Sequence, residues 1–206
     1  MSETIIAVRG LAVEPGGVRV LGGFELAAAP GDVVAVTGVN GAGKSTLLRC
    51  LAGLQRPAAG ELDVLGRPPA DEPAFWRDVV LVADEPAWYP GLSVREHLDL
   101  MGAVHGSPRM GTGAALDLFA LAGRGDMAPL SMSTGQRQRL SLAMGLVRPS
   151  RVLLLDEPER GLDPAFRGRL ADILAGYAAE GGTVVMATHD LDLAGRARRV
   201  TLDAAA

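Results

Sequence analysis

The chain has 206 residues, of which 48% are hydrophobic and 21% charged, and its formal net charge is −4 at pH 7. That length fits one domain with room for an insertion and a proper core, and the composition excludes wholesale disorder. The acidic balance and the lack of a basic run argue against a nucleic-acid partner, the opening MSETIIAVRG lacks a secretion-signal pattern, and no apolar run approaches a membrane span, so a soluble, cytosolic chain is expected.

In chain order, residues 4–8, 18–21, 24–28 and 33–36 read as short strands, punctuated by Gly16-Gly17, Gly22-Gly23 and Pro30-Gly31. They make an antiparallel start that feeds the run Val33-Val34-Ala35-Val36. A helix follows over residues 44–53, then strands at 61–64 and 79–82. The lone cysteine, Cys50, has no internal disulfide partner and reads as a small core residue of that helix. Pro86 and Pro90 mark a loop. Ser93, with Glu96 three residues on, is a capping box that opens a helix carrying Val94, Leu98, Met101 and Val104 at helical spacing. Gly111 and Gly113 break the chain, residues 114–122 resume a helix, and residues 134–147 form a third. Strand and helix then alternate: 151–155, 164–179, 183–187, a short helix after Asp190, and a last strand near 199–202. His97 and His105 read as surface residues of the helical stretch, and Arg167 and Arg169 as a solvated helix face. The pattern predicts an α/β fold, with a parallel-sheet core interrupted by an all-helical insert.

Gly38 to Ser45 spells G-x-x-x-x-G-K-S between an apolar strand and a helix, the context of a phosphate-binding loop. Gly38, Gly41 and Gly43 let the backbone curl so that successive N–H groups face an anion. Asn40, Ala42 and Thr46 complete the stretch that would hold a nucleotide triphosphate. Lys44 is the chain's only lysine. A compact ammonium on a flexible stem fits a tight ring of N–H groups where a planar guanidinium is too broad. The helix after the loop turns its positive end to the same anion, and the Ser45 hydroxyl is placed for magnesium. The core is therefore expected to be of the P-loop NTPase type.

The run Val152-Leu153-Leu154-Leu155-Asp156-Glu157 suits a parallel strand buried on both faces, with two carboxylates at its carboxyl end. Adjacent residues point apart, so they can do different work. Asp156 can hold magnesium, and Glu157 can take a proton from an attacking water.

Ser133-Thr134-Gly135-Gln136, followed by Arg137-Gln138-Arg139, resembles the LSGGQ signature of the ABC ATPases, at a separation from Asp156 that looks like the family's. Met132 and Thr134 stand where the family usually has leucine and glycine. Residues 159–163 look like the family's D-loop, which brings Asp163 to the nucleotide. Thr188-His189-Asp190 resembles the switch histidine, whose neutral imidazole touches the γ-phosphate. The resemblance implies an ATP-hydrolysing enzyme using ATP and Mg2+. It further implies one domain over 1–206, with a nucleotide-binding core expected at 1–84 and 148–206 and a helical subdomain at 85–147. It also implies a dimer, homodimeric or with a paralogue, in which Ser133, Gly135 and Gln136 cap the partner's γ-phosphate. A separate integral-membrane permease would hold the chain at the inner face of the cell membrane. Residues 84–93, with Trp88 and Tyr89 taken as exposed, would dock it, and residues 84–98 resemble the loop of efflux-type subunits more than that of importers.

Two positions depart from the family. Asp84, with Glu85 adjacent, stands where the family usually has a glutamine and sometimes a glutamate; aspartate reaches about one bond less far, so a water-mediated magnesium contact is expected. Residues 11–16 hold no aromatic to stack on adenine, which leaves Val13 or Pro15. Two rival readings are a soluble ABC assembly module that moves nothing across a membrane, and a P-loop kinase of a small molecule. The second has no use for residues 133–139.

Overall fold

The computed structural model describes residues 4–83 and 88–202. β1 (Ile6–Val13), β2 (Leu21–Ala28) and β4 (Ala59–Val64) form an antiparallel sheet in the order β2-β1-β4. β3 (Val33–Thr37), β5 (Val79–Val82), β6 (Val152–Asp156), β7 (Thr183–Ala187) and β8 (Arg198–Thr201) form a parallel sheet in the order β5-β6-β7-β3-β8. The α/β class expected from the alternation is the one found.

The parallel strands divide their side chains between two cores, as period-2 geometry requires. Leu153 and Leu155 of β6, with Val184 and Met186 of β7, face one core; Val152, Leu154, Val185 and Ala187 face the other. The second core is closed by the antiparallel sheet, by α1 (Lys44–Leu51) and by α2 (Pro73–Trp76). Cys50 is buried in it, as its apolar surroundings on α1 led one to expect, and burial pushes its thiol up to about 11. The first core is covered by α3 (Val94–His105), α4 (Thr112–Leu118), α5 (Thr134–Val147), α6 (Pro164–Ala179) and α7 (Leu191–Gly195). α5 lies close on β5 because Gly145 has no side chain: a Cβ there would come within 2.7 Å of the Val82 side chain.

Several local expectations are corrected. Residues 4–8 and 18–21 are not separate short strands. β1 runs on to Val13, with register shifts around Gly10 (φ 58°), and β2 begins at Leu21 with Gly22 and Gly23 inside it. β2 is an edge strand, where glycine is tolerated. α2 has too few residues to show a helical period, and its Pro73 start reads as a loop. Gly113 does not break α4, which starts at Thr112 and stops before Ala120 (φ 53°).

His97 is not a surface residue. It is 0% exposed. Its Nδ1–H donates to the Ser93 carbonyl at 2.8 Å, and its Nε2 accepts the Tyr89 N–H at 3.0 Å. With both ring nitrogens bonded and the Trp88 ring packed edge-on at 5.6 Å, the imidazole is buried at little cost. Trp88 is accordingly half-buried rather than exposed, while Tyr89 is 54% exposed. Arg167 is not merely solvated: its Nη1 pairs with Asp190 at 3.0 Å and its Nε donates to the Leu162 carbonyl at 3.0 Å.

Candidate functional site

The loop between β3 and α1 has the conformation its glycines permit. Gly38 (φ 151°), Gly41 (φ 82°) and Gly43 (φ 95°) occupy backbone regions that side chains disfavour. A Cβ at Gly38 would press into the Leu202 carbonyl oxygen, and one at Gly43 would come within 2.8 Å of Leu21. Asn40 and Gly41 are exposed, Ala42 is buried, and Thr46 is half-buried. Lys44 is 7% exposed, and its Nζ donates to the carbonyls of Gly38 at 2.9 Å and Val39 at 3.0 Å. The ammonium is thus held inside its own loop. Ser45 stands exposed at the start of α1.

β6, β7 and β3 are neighbours in the sheet, so their carboxyl ends bring together residues far apart in sequence. A cavity of about 270 Å³ there is lined by Ser45, Asp156, Glu157, Thr134, Arg137 and Gln138, among others. Glu157 has φ 46°, uncommon for a residue with a side chain, and its N–H donates to Ala187 at 2.9 Å. This bend turns the carboxylate out of the strand line, where its Oε1 lies 3.6 Å from His189 Nε2. Both side chains are partly exposed, as groups that must meet a substrate and water have to be.

Ser45 and Asp156 share the cavity wall, and among the described residues no group of three or more acidic, histidine or cysteine side chains gathers to hold a metal. That donor set fits magnesium, which takes one or two protein oxygens and completes its shell with phosphate and water. Asp84 lies outside the described residues.

The signature segment opens α5. Ser133 Oγ accepts the Gln136 N–H at 3.3 Å, and Gln136 Oε1 accepts the Ser133 N–H at 3.0 Å, a complete capping box. Ser133 and Thr134 are exposed. Gly135 is needed for packing: a Cβ there would press into the Gly161 carbonyl oxygen. Gln138 Nε2 donates to the Pro158 carbonyl at 3.2 Å, a second tie between α5 and the loop after β6. Asp163 does not line the cavity. It caps α6 by accepting the Phe166 N–H at 2.9 Å, and it pairs with Arg139. The Phe166 N–H, with help from the Arg139 guanidinium, holds its carboxyl below the usual range.

Of the apolar residues expected to face a base, Val13 is 0% exposed and belongs to the core; the Pro15 side chain lies outside what is described. Val13 is tied to the phosphate loop only at one remove: its carbonyl accepts the Val20 N–H at 2.8 Å, and the Val20 carbonyl and Leu21 side chain lie against Gly43. Sequence reasoning counted Gln138 in the signature run and Glu159 and Arg160 in the 159–163 segment but gave them no role of their own, and it missed Ser141, a small polar residue inside α5 that nothing in the chain sets apart.

A family model described as ABC transporter matches residues 21–160. A Streptomyces avermitilis protein named as an ABC transporter ATP-binding protein is 43% identical over 98% of this chain, which spans only 36% of that relative's length. The cytochrome c biogenesis ATP-binding export protein CcmA of Mesorhizobium japonicum is 40% identical, over 85% of this chain and 87% of its own. The aliphatic sulfonates import ATP-binding protein SsuB 1 of Xanthomonas axonopodis pv. citri is also 40% identical, over 84% of this chain and 70% of its own. A solved structure of an ATP binding subunit of an ABC transporter superposes with TM-score 0.85 at 27% identity, covering 98% of this chain and 89% of that one.

Proposed function

The chain belongs to the ABC transporter family, and we propose that it is the ATP-hydrolysing subunit of a transporter that exports its substrate through a separate permease. The observation that carries the reading is one cavity that joins Ser45 of the phosphate loop to Asp156 and Glu157, with His189 Nε2 3.6 Å from the glutamate.

In this reading ATP enters as substrate. Its phosphates displace the Gly38 and Val39 carbonyls from Lys44, and the backbone N–H groups from Gly41 to Thr46 hold the oxygens. Magnesium held by Ser45 and Asp156, with Asp84 at the loop that enters the helical segment, would neutralise charge on the β- and γ-phosphates. Glu157 takes a proton from water. The water oxygen bonds to the γ-phosphorus, and the bond to the bridging oxygen breaks with its electron pair left on ADP. His189 orients the water and the γ-phosphate through its exposed imidazole. Ser133, Gly135 and Gln136 serve a nucleotide held by a second ATPase subunit, a copy or a paralogue, and Asp163 supports that loop from α6.

Residues 85–147 form the helical subdomain, and 1–84 with 148–206 the nucleotide-binding core. The permease would dock on residues 84–93, where Tyr89 is exposed, beside a groove of about 190 Å³ lined by Leu81, Ala83, Met101, Met144 and Arg148. No helix among the described residues is long and apolar enough to cross a membrane; in this reading the path for substrate lies in the partner. Export follows from the likeness of residues 84–98 to efflux-type subunits and agrees with the name of the CcmA relative; the SsuB relative is named for import. Affinity purification of the tagged chain from detergent-solubilised membranes tests the assignment. A multi-span membrane protein should co-purify in stoichiometric amount. Recovery only from the soluble fraction, with no membrane partner, contradicts it.

A further inference from the structure

Glu159 sits in the loop that leaves β6, two residues beyond Glu157, and is 9% exposed. Its Oε1 accepts the N–H of His189 at 2.8 Å and the N–H of Asp190 at 3.3 Å. Its Oε2 is buried and finds no hydrogen-bond partner among the described residues. A buried carboxylate is costly. An apolar side chain would fill the same space without that cost, so packing alone does not account for it.

The two amides that Glu159 holds are not equally dependent on it. The Asp190 N–H also reaches Thr188 Oγ1 at 3.0 Å. Asp190 itself is fixed by accepting the Leu193 N–H at 2.8 Å and by its pair with Arg167 at 3.0 Å. For the His189 N–H, Glu159 is the partner found among the described residues. The carboxylate therefore bears most directly on the main chain of the histidine whose imidazole faces Glu157.

The other side of Glu159 is the loop itself. Two residues on, Gly161 is pressed against Gly135 of the signature segment, and Pro158 is tied to Gln138 of α5. A displacement of α5 reaches Glu159 through these contacts, and reaches His189 through a single charge-assisted hydrogen bond.

We propose that Glu159 is a positioning residue, whose carboxylate fixes the main chain of His189 for hydrolysis and links it to the loop that α5 contacts. The proposal rests on the hydrolytic roles given above to Glu157 and His189. Its test is ATP turnover and ATP affinity of the wild type, Glu159→Ala and Glu159→Gln, repeated in a His189→Ala background, with hydrogen exchange over residues 188–193.

Loss of the carboxylate should lower kcat about ten- to hundredfold, as misplacement of a catalytic group does, while ATP affinity stays unchanged. Glutamine keeps an acceptor oxygen and should restore most of the rate. Without His189 there is nothing left to position, so Glu159→Ala should cost no further activity. The His189 amide should exchange faster in Glu159→Ala. If the alanine variant folds poorly, Glu159→Asp replaces it: the charge stays, the reach is one methylene shorter, and the same loss is expected. Wild-type turnover with unchanged exchange overturns the proposal, and so does an equal loss with and without His189. Failure of the hydrolytic reading looks different. It shows as a wild type without turnover, and the exchange measurement then still decides whether Glu159 holds His189.

Discussion

Lys44 donates to two carbonyls of its own loop, in a slot that leaves it 7% exposed. Such a slot suits an ammonium, which can swing from carbonyl to phosphate by rotating its stem. A guanidinium is broader and planar and cannot make that swing. Lys44→Arg should therefore weaken ATP binding even though charge is kept. A lost hydrogen bond to a charged group is worth about 1.5–3 kcal/mol, or roughly tenfold or more in Kd. Calorimetry with ATP and magnesium checks this, and full affinity in the arginine variant would contradict the reason given for a lysine here. The residues of this loop could be placed from sequence because the motif is contiguous: Gly38 to Thr46 are neighbours in the chain before they are neighbours in space. His97 could not. Its burial depends on the Ser93 carbonyl, the Tyr89 N–H and the Trp88 ring, and nothing in a lone histidine on a helix announces those partners. Asp163 was read by resemblance as a nucleotide residue. Its cap on α6 and its bond to Arg139 become visible only once the helices are docked.

At the scale of elements, local chemistry set the ends of the long helices. The Ser93–Glu96 and Ser133–Gln136 boxes start α3 and α5, and Asp163-Pro164 starts α6, at the residues where the sequence places them. Elements whose limits come from tertiary contact were less legible. β1 and β2 extend across glycines because each pairs with the other along its length, and α2 is one turn held by Phe75 in the core. Gly135 joins the two kinds of constraint and allows a test. As a helix residue it should be improved by alanine, by about 1 kcal/mol on propensity alone. As a packing residue it should be harmed, because a methyl would press into the Gly161 carbonyl, and overpacking typically costs about 1–3 kcal/mol. The contact outweighs the propensity, so Gly135→Ala should lower the denaturation midpoint and push α5 away from the loop after β6. A rise in stability would show that the signature glycine does not serve this contact.

For the molecule as a whole, the site exists because β6, β7 and β3 are adjacent in the sheet, although the residues at their ends are widely separated along the chain. The alternation of strands and helices revealed the parallel sheet. It did not reveal which strands would be neighbours, nor that Glu159 would reach across to His189. The central claim is that this arrangement hydrolyses ATP with Glu157 as the general base. Phosphate release by the Glu157→Gln protein, at saturating ATP and magnesium, tests it most directly. Removing a general base should lower turnover by about 10²–10⁴-fold while bound ATP is retained, since the amide still fits beside the γ-phosphate. Turnover close to that of the wild type would contradict the account.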